Sequence, residues 1–449
     1  NFGESLNLPT HIDHIGNVII KKPATTGMED RVTVVLQSHL DMVHQKNNDT
    51  DFDFLTEGIK MFVDGDWVKA DGTTLGADNG IGVATIMGIL ASADIAHPAL
   101  EALFTIDEET GMTGALELKG GLLDAKIMLN LDTEDDDELT IGCAGGIDIT
   151  ATGAYQEEKI NNDFKGFKLT VKGLSGGHSG MDIQKGLGNA NKLMNRLLYL
   201  ASKNNGARMA RLDGGGLRNA IPRESVALVA VPQTQAQDFK NTVQTETKIL
   251  KTEYQTTDPD LQVVIEAVNR PNQVLDYAFQ KQLLRAIYAC PNGIFRMSPD
   301  IKDLVQTSNN LARILVEDGQ YEILCLTRSS VDSEKMDLQR SINSVFQLIG
   351  AQVTTGGNYP GWTPQPKSDI VEIMANLYRK MFDGEPKVNA CHAALECGIL
   401  GTNYPEMEMI SFGPNIRGAH SPDERVQISS VQKFWKFLLA TLENTPSKN

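Results

Sequence analysis

The chain has 449 residues, 41% hydrophobic and 22% charged, an ordinary globular composition long enough for at least two domains. A net charge of −17 excludes a nucleic-acid partner held through phosphates, and no apolar run approaches the ~20 residues of a membrane-spanning helix. Five cysteines, an odd count with no C-x-x-C spacing, read as reduced thiols of a cytoplasmic protein rather than a disulfide framework or a structural zinc knot.

Taken in order, the first strong apolar run, Val32 to Leu36, reads as a buried strand that delivers His39 and Asp41. Residues two apart on extended chain share a side, so both can face one pocket. Asp64-Gly65-Asp66 signals a hairpin. Gly76-Ala77-Asp78-Asn79-Gly80 reads as a loop entering a helix from Val83 to Ala91. That loop lacks Lys and centres on a carboxylate, which argues against phosphate binding.

Leu100 to Ile106 and Lys126 to Leu131 read as further buried strands, ending in Asp107-Glu108-Glu109 and Asp132. Adjacent carboxylates repel unless solvated or neutralised by a cation. A position directly after a buried strand favours the cation, whereas the run Glu134 to Glu138 reads as a solvated turn. Apolar runs alternating with helical stretches predict an α/β fold with a central, mostly parallel sheet, and such sheets bind ligands beyond their strand carboxyl ends.

After Gly142 to Gly146 the pattern changes. Phe167 to Val171, Val226 to Val231 and Tyr321 to Arg328 read as strands, and Leu187 to Ser202, Phe239 to Tyr254 and Asp332 to Ile349 as helices, which together suggest a separate α+β domain. His178 and Asn219 lie in its glycine-rich turns and Arg328 at a strand end. The proline-rich stretch Tyr359 to Pro366 reads as a linker. Beyond it come a helix from Ser368 to Asp383, a strand from Met407 to Phe412 followed by His420, and a closing helix from Val431 to Glu443. No internal repeat or low-complexity tract is visible.

Read singly, His39 is a structural histidine, Asp78 a turn residue and His420 an ordinary loop residue. Together, His39-x-Asp41, Gly76 to Gly80, Asp107-Glu108-Glu109-Thr110-Gly111, Leu131-Asp132 and Ala419-His420-Ser421-Pro422-Asp423-Glu424 resemble the M20 metallopeptidases. Within that family the likeness is strongest to the bacterial aminoacyl-histidine dipeptidases. It rests there on His39 to Val43, Ile141 to Gly146, Leu174 to Gly180, Tyr359 to Trp362 and His392 to Gly398. Ala394 and His44 depart from the family pattern, where Gly and Pro are usual.

The resemblance implies a discontinuous catalytic domain, 1–148 with 361–449, and an inserted lid, 149–360. It implies two divalent ions, zinc first, with manganese or cobalt as alternatives. His39 and Asp132 would hold one, Glu109 and His420 the other, and Asp78, followed by a cis peptide, would bridge them. A shared carboxylate lets two such ions sit ~3.5–4 Å apart. Asp41 would orient His39, Glu108 would act as general base, and His178 would stabilise the substrate carbonyl oxygen, in relatives across a homodimer interface. Asn219 and Arg328 are the candidates for the substrate's free carboxylate. The activity implied is hydrolysis of dipeptides with C-terminal His. The rivals are a family member of other specificity, such as a broad di- or tripeptidase or an N-acyl amino acid deacylase, and a metal-binding relative without catalysis.

Overall fold

The computed structural model describes residues 1–448, which fall into two compact units. One comprises Asn1–Cys143, Trp362–Cys391 and the described residues from Leu395 onward; the other comprises Ala144–Gly361 and His392–Ala394. Among the described residues no helix is long and apolar enough to cross a membrane.

The first unit is built on an eight-stranded sheet. Its spatial order is Thr10–Ile12, Val18–Lys22, Leu100–Thr105, Val34–His39, Ile127–Asn130, Glu408–Ser411, Glu138–Cys143 and Lys387–Cys391. Leu100–Thr105, Val34–His39, Ile127–Asn130 and Glu408–Ser411 run parallel, and the strands before them pair antiparallel. Every residue of the first three of these is buried, which is why they read as unbroken apolar runs.

The strand expected over Val32 to Leu36 lies at Val34–His39, so His39 is its last residue rather than a loop residue beyond it. Gln37 and Ser38 stay in the ladder because their side chains find buried partners. Gln37 Nε2 donates to Glu396 at 2.6 Å, and Ser38 Oγ to Asn79 Oδ1 at 2.8 Å.

The helix expected from Val83 begins six residues earlier, spanning Ala77–Ala91. Asp78 and Asn79 depart from helical dihedrals inside its first turn, and the peptide between them is cis. Gly82 lets this helix press onto the strand: a Cβ there would lie 2.1 Å from Asn79 Oδ1 and 2.6 Å from Ser38 Oγ. Three sequence-distant pieces, the strand, the turn of the helix and the loop after Ile127–Asn130, are thereby locked together.

The run Glu134 to Glu138 does turn, at Asp136 and Asp137, but it is half-buried and paired rather than merely solvated. Asp135, Asp136 and Asp137 pair with Arg417, Lys433 and Lys387, cations that lie some 250 residues or more downstream and are invisible to a local reading.

The second unit holds a nine-stranded sheet. Eight strands run in the order Gln262–Val268, Phe164–Lys172, Ser225–Pro232, Arg208–Gly215, Val305–Glu317, Gln320–Ser329, Gly145–Ala154, Gln352–Tyr359, with every neighbour antiparallel. Gly293–Met297 pairs beside Val305–Glu317. The order is palindromic about the Arg208–Gly215/Val305–Glu317 pair. Each half is a strand, a helix, two strands, a helix and a strand, with helices Ala190–Asn205 and Ala236–Glu253 in one and Tyr277–Ala289 and Asp332–Gln347 in the other. One apolar core, including Phe167, Phe239, Leu338 and Phe346, runs through both halves. The sequence shows no sign of this doubling, because packing constrains only the apolar pattern of each half.

One buried carboxylate fixes the start of the Ala77–Ala91 helix. Glu424, 2% exposed, accepts from the backbone N–H groups of Leu75 at 2.7 Å, Gly76 at 2.9 Å, Ala77 at 2.8 Å and Asp78 at 3.2 Å. Those are the donors a helix N-terminus leaves without partners, and the negative charge suits the positive end of the helix. Glu424→Ala leaves them unsatisfied and is expected to destabilise the chain by about 3 kcal/mol. Chemical denaturation reads the change, and a midpoint equal to that of the parent contradicts this role.

Candidate active site

Four strand or helix ends of the first unit converge on Asp78. His39 Nε2 lies 3.1 Å from Asp78 Oδ1 and 3.4 Å from Asp132 Oδ1. His420 Nε2 lies 3.2 Å from the other oxygen, Asp78 Oδ2, and 3.0 Å from Glu109 Oε2. The Asp78 carboxylate therefore faces one His–carboxylate pair with each oxygen. Single ligand atoms from His39, Asp78 and Glu109 lie within 4.8 Å of one another. His39, Asp132 and Glu109 are nearly inaccessible, at 1%, 7% and 5% side-chain exposure, whereas His420 is 53% exposed and forms the open side.

Backbone strain accompanies the arrangement. His420 at φ 65 and Asp107 at φ 58 occupy the left-handed region that non-glycine residues avoid. The first aims the open-side imidazole, and the second turns the chain so that Glu108 and Glu109 follow the strand end.

Asp41 couples two of these ends. Its carboxylate accepts from the backbone N–H of Glu108 at 3.1 Å and of Glu109 at 3.0 Å. His39 Nδ1 is closer to the Asp41 carbonyl oxygen, at 3.0 Å, than to its carboxylate, at 3.5 Å. The carbonyl is thus the better acceptor for the Nδ1 proton, which leaves Nε2 facing Asp78 and Asp132. Burial works against the Asp41 charge, but His39 and the two N–H groups hold its pKa down at about 2.

The electrostatics show an excess of buried negative charge. Burial and the neighbouring Asp132 push Glu108 up to about 9. Burial raises Asp132 as well, and raises Glu134 to about 7 with the help of Asp78. His420 is raised to about 10 by Asp78 and Glu109. Burial opposes charge on His39, yet Asp132, Asp41 and Asp78 raise its proton affinity. Burial likewise opposes charge on Asp78, but the two imidazoles pull its pKa well down. Glu109 Oε1 is buried with no hydrogen-bond partner. Two imidazole nitrogens and three buried carboxylates at this spacing are a donor set that fits divalent cations of the zinc or manganese type.

Other predicted residues lie in the second unit. His178 Nδ1 accepts from the backbone N–H groups of Gly180 at 3.2 Å and Met181 at 3.1 Å, which assigns the ring proton to Nε2. Arg328 Nη2 lies 3.5 Å from that Nε2. Two donors cannot bond each other, so each N–H is left for an acceptor oxygen of its own. Arg328 is 4% exposed, with Tyr359 Oη at 2.9 Å and no carboxylate within 4.0 Å among the described residues. It is therefore not the surface ion pair that strand-end arginines usually form. Asn219 joins this group only through its backbone, its carbonyl accepting from Ser179 N–H at 2.7 Å; its side chain is exposed.

Two buried carboxylates, Glu424 and Glu396, have structural roles that no local sequence signal marks. Glu396 is fully buried and accepts from Gln37 Nε2 at 2.6 Å and Thr105 Oγ1 at 2.7 Å, so it braces the strands that end in His39 and Thr105. Burial and the charge of Asp132 raise its pKa from 4.5 to about 7. The folded chain thus keeps a proton there that the unfolded chain releases, and this group's contribution to stability falls as pH rises from 4.5 to 7. Glu396→Gln is expected to remove that fall. Denaturation midpoints of both chains across the window test it, and parallel pH profiles contradict it.

The chain is 44% identical over 436 residues to the cytosol non-specific dipeptidase of Escherichia coli (strain K12), covering 97% of this chain and 90% of that one. Its fold matches the crystal structure of aminoacylhistidine dipeptidase from Vibrio alginolyticus with a TM-score of 0.94 at 45% identity, over 100% of this chain and 91% of that one. Aminopeptidase PepT from Bacillus cereus shares the fold alone, at a TM-score of 0.56 and 15% identity over 98% and 90% of the two chains. Residues 35–444 match the model of peptidase family M20/M25/M40, and the chain belongs to that family.

Proposed function

We propose that the chain is a two-metal dipeptidase of the cytoplasm that hydrolyses dipeptides with histidine at the C-terminal position. The observation that carries the reading is the division of Asp78, one oxygen toward His39 and Asp132, the other toward His420 and Glu109. In this reading His39 and Asp132 hold one divalent ion, Glu109 and His420 the other, and Asp78 is shared. Zinc is the favoured ion, with manganese and cobalt suited to the same nitrogen and oxygen donors. Such ions supply Lewis acidity toward the scissile carbonyl and the attacking water when bound.

The rest is the work of side chains. Glu108 follows Asp107 at the end of a buried strand and has no ion-pair partner within 4.0 Å among the described residues. It takes the proton of the attacking water and passes it to the leaving amine. Asp41 holds the Glu108–Glu109 backbone and the His39 ring in place. Nε2–H of His178 serves the substrate carbonyl oxygen, and Arg328, with Asn219, takes the free carboxylate. The buried guanidinium without a carboxylate partner supports this assignment. A cytoplasmic setting is supported by an odd count of five cysteines with no C-x-x-C spacing and by the name of the E. coli relative.

The same name favours a second reading, a dipeptidase of broad specificity. A panel of carnosine, Gly-His, Ala-Leu and N-acetyl amino acids separates the two. Preference for the histidine dipeptides supports the first reading, equal turnover of Ala-Leu supports the second, and turnover of N-acetyl amino acids alone contradicts both. Glu108→Gln is expected to lower kcat by about 10²–10⁴-fold while metal content is retained. Undiminished turnover in that variant contradicts the general-base role.

A further inference from the structure

In the second unit, helices Ala190–Asn205 and Tyr277–Ala289 pack antiparallel. Asn195 Nδ2 donates to the Leu284 carbonyl at 3.1 Å, and Gln280 Nε2 donates to Ser202 Oγ at 2.9 Å. Over Ser202 and Leu284 the two helices part and leave a cavity of about 350 Å³. Volumes of this size accommodate small organic ligands.

The walls of the cavity are cationic and aromatic. Tyr199 and Lys203 come from the first helix, and Tyr277, Lys281 and Arg285 from the second. Tyr277, Lys281 and Arg285 are spaced four apart and so share one face, where two like charges at that spacing disfavour the helix. The chain carries 58 Asp and Glu against 41 Lys and Arg. Arg196, Arg208, Arg211, Arg218 and Arg313 of the same unit each pair with a carboxylate. Lys203, Lys281 and Arg285 have none within 4.0 Å among the described residues. Lys281 Nζ instead lies over the Tyr277 ring, 4.5 Å from its centroid, which holds it at the rim. The Tyr199 and Tyr277 hydroxyls have no hydrogen-bond partner among the described residues and are free to donate.

We propose that this cavity binds a phosphate group, either free or carried by a small organic molecule. Arg285 offers a bidentate fork, Lys203 and Lys281 offer point charges, and the tyrosine hydroxyls offer neutral donors. Two like charges four apart carry some cost to the helix, and a bound dianion removes that cost.

The test is equilibrium binding of inorganic phosphate, adenosine monophosphate and adenosine to the metal-loaded full-length protein, followed by calorimetry and by phosphorus NMR. At least one phosphate is expected to bind, adenosine is not, and raised salt weakens the binding. Tighter binding of adenosine monophosphate identifies an organic phosphate as the ligand, and equal binding identifies the free ion. The double variant Lys281→Glu, Arg285→Glu, altered at exposed positions, is expected to lose about tenfold or more in affinity while peptide hydrolysis is retained. Lys203→Glu, on the other helix, is expected to weaken binding as well. Failure of both phosphates to bind at millimolar concentration overturns the proposal. So does undiminished affinity in the double variant, which would place the anion elsewhere on the protein.

Discussion

Mutual repulsion among buried carboxylates is the constraint on which the first unit depends. Asp78, Glu109 and Asp132 sit within contact of two imidazoles, with Glu108 and Asp41 directly behind them. Carboxylates brought together in low dielectric repel strongly, and desolvation adds to the cost. The fold meets that cost by rigid attachment. Three parallel strands deliver His39, the Asp107–Glu109 turn and Asp132, and Glu424 clamps the helix start that presents Asp78. The backbone that carries these side chains is thus fixed by strand pairing and by the Glu424 clamp, and the charge stays concentrated at one place.

Much of this was legible in the sequence because buried parallel strands write themselves as unbroken apolar runs. Leu100 to Ile106 and Lys126 to Leu131 lie within one residue of the observed strands at each end. The polar end of Val34–His39 was not legible, since Gln37 and Ser38 belong to the strand only by virtue of Glu396 and Asn79, far away in the chain. The Glu134 to Glu138 run misled for the same reason: its cationic partners lie in later segments. Of the ligand candidates, Asp78 and His420 were recognisable as a set and through family resemblance. Glu424 lies in the same motif as His420, but nothing local marks it as the acceptor for four amides.

The second unit shows what patterning alone conceals. Its two halves repeat one topology while sharing no visible sequence period, because a sheet asks only for apolar residues on its covered face. Its polar features are more specific. His178 and Arg328 turn their N–H groups toward each other, and among the described residues no carboxylate lies within 4.0 Å of the buried guanidinium.

The account stands or falls on whether Asp78 is shared by two ions. Metal analysis of the purified chain, dialysed after loading with zinc, tests this most directly when run beside Asp78→Ala. Two ions per chain in the parent and loss of both sites' tight occupancy in the variant are the predicted result. A single ion in the parent, or two retained without Asp78, would contradict it.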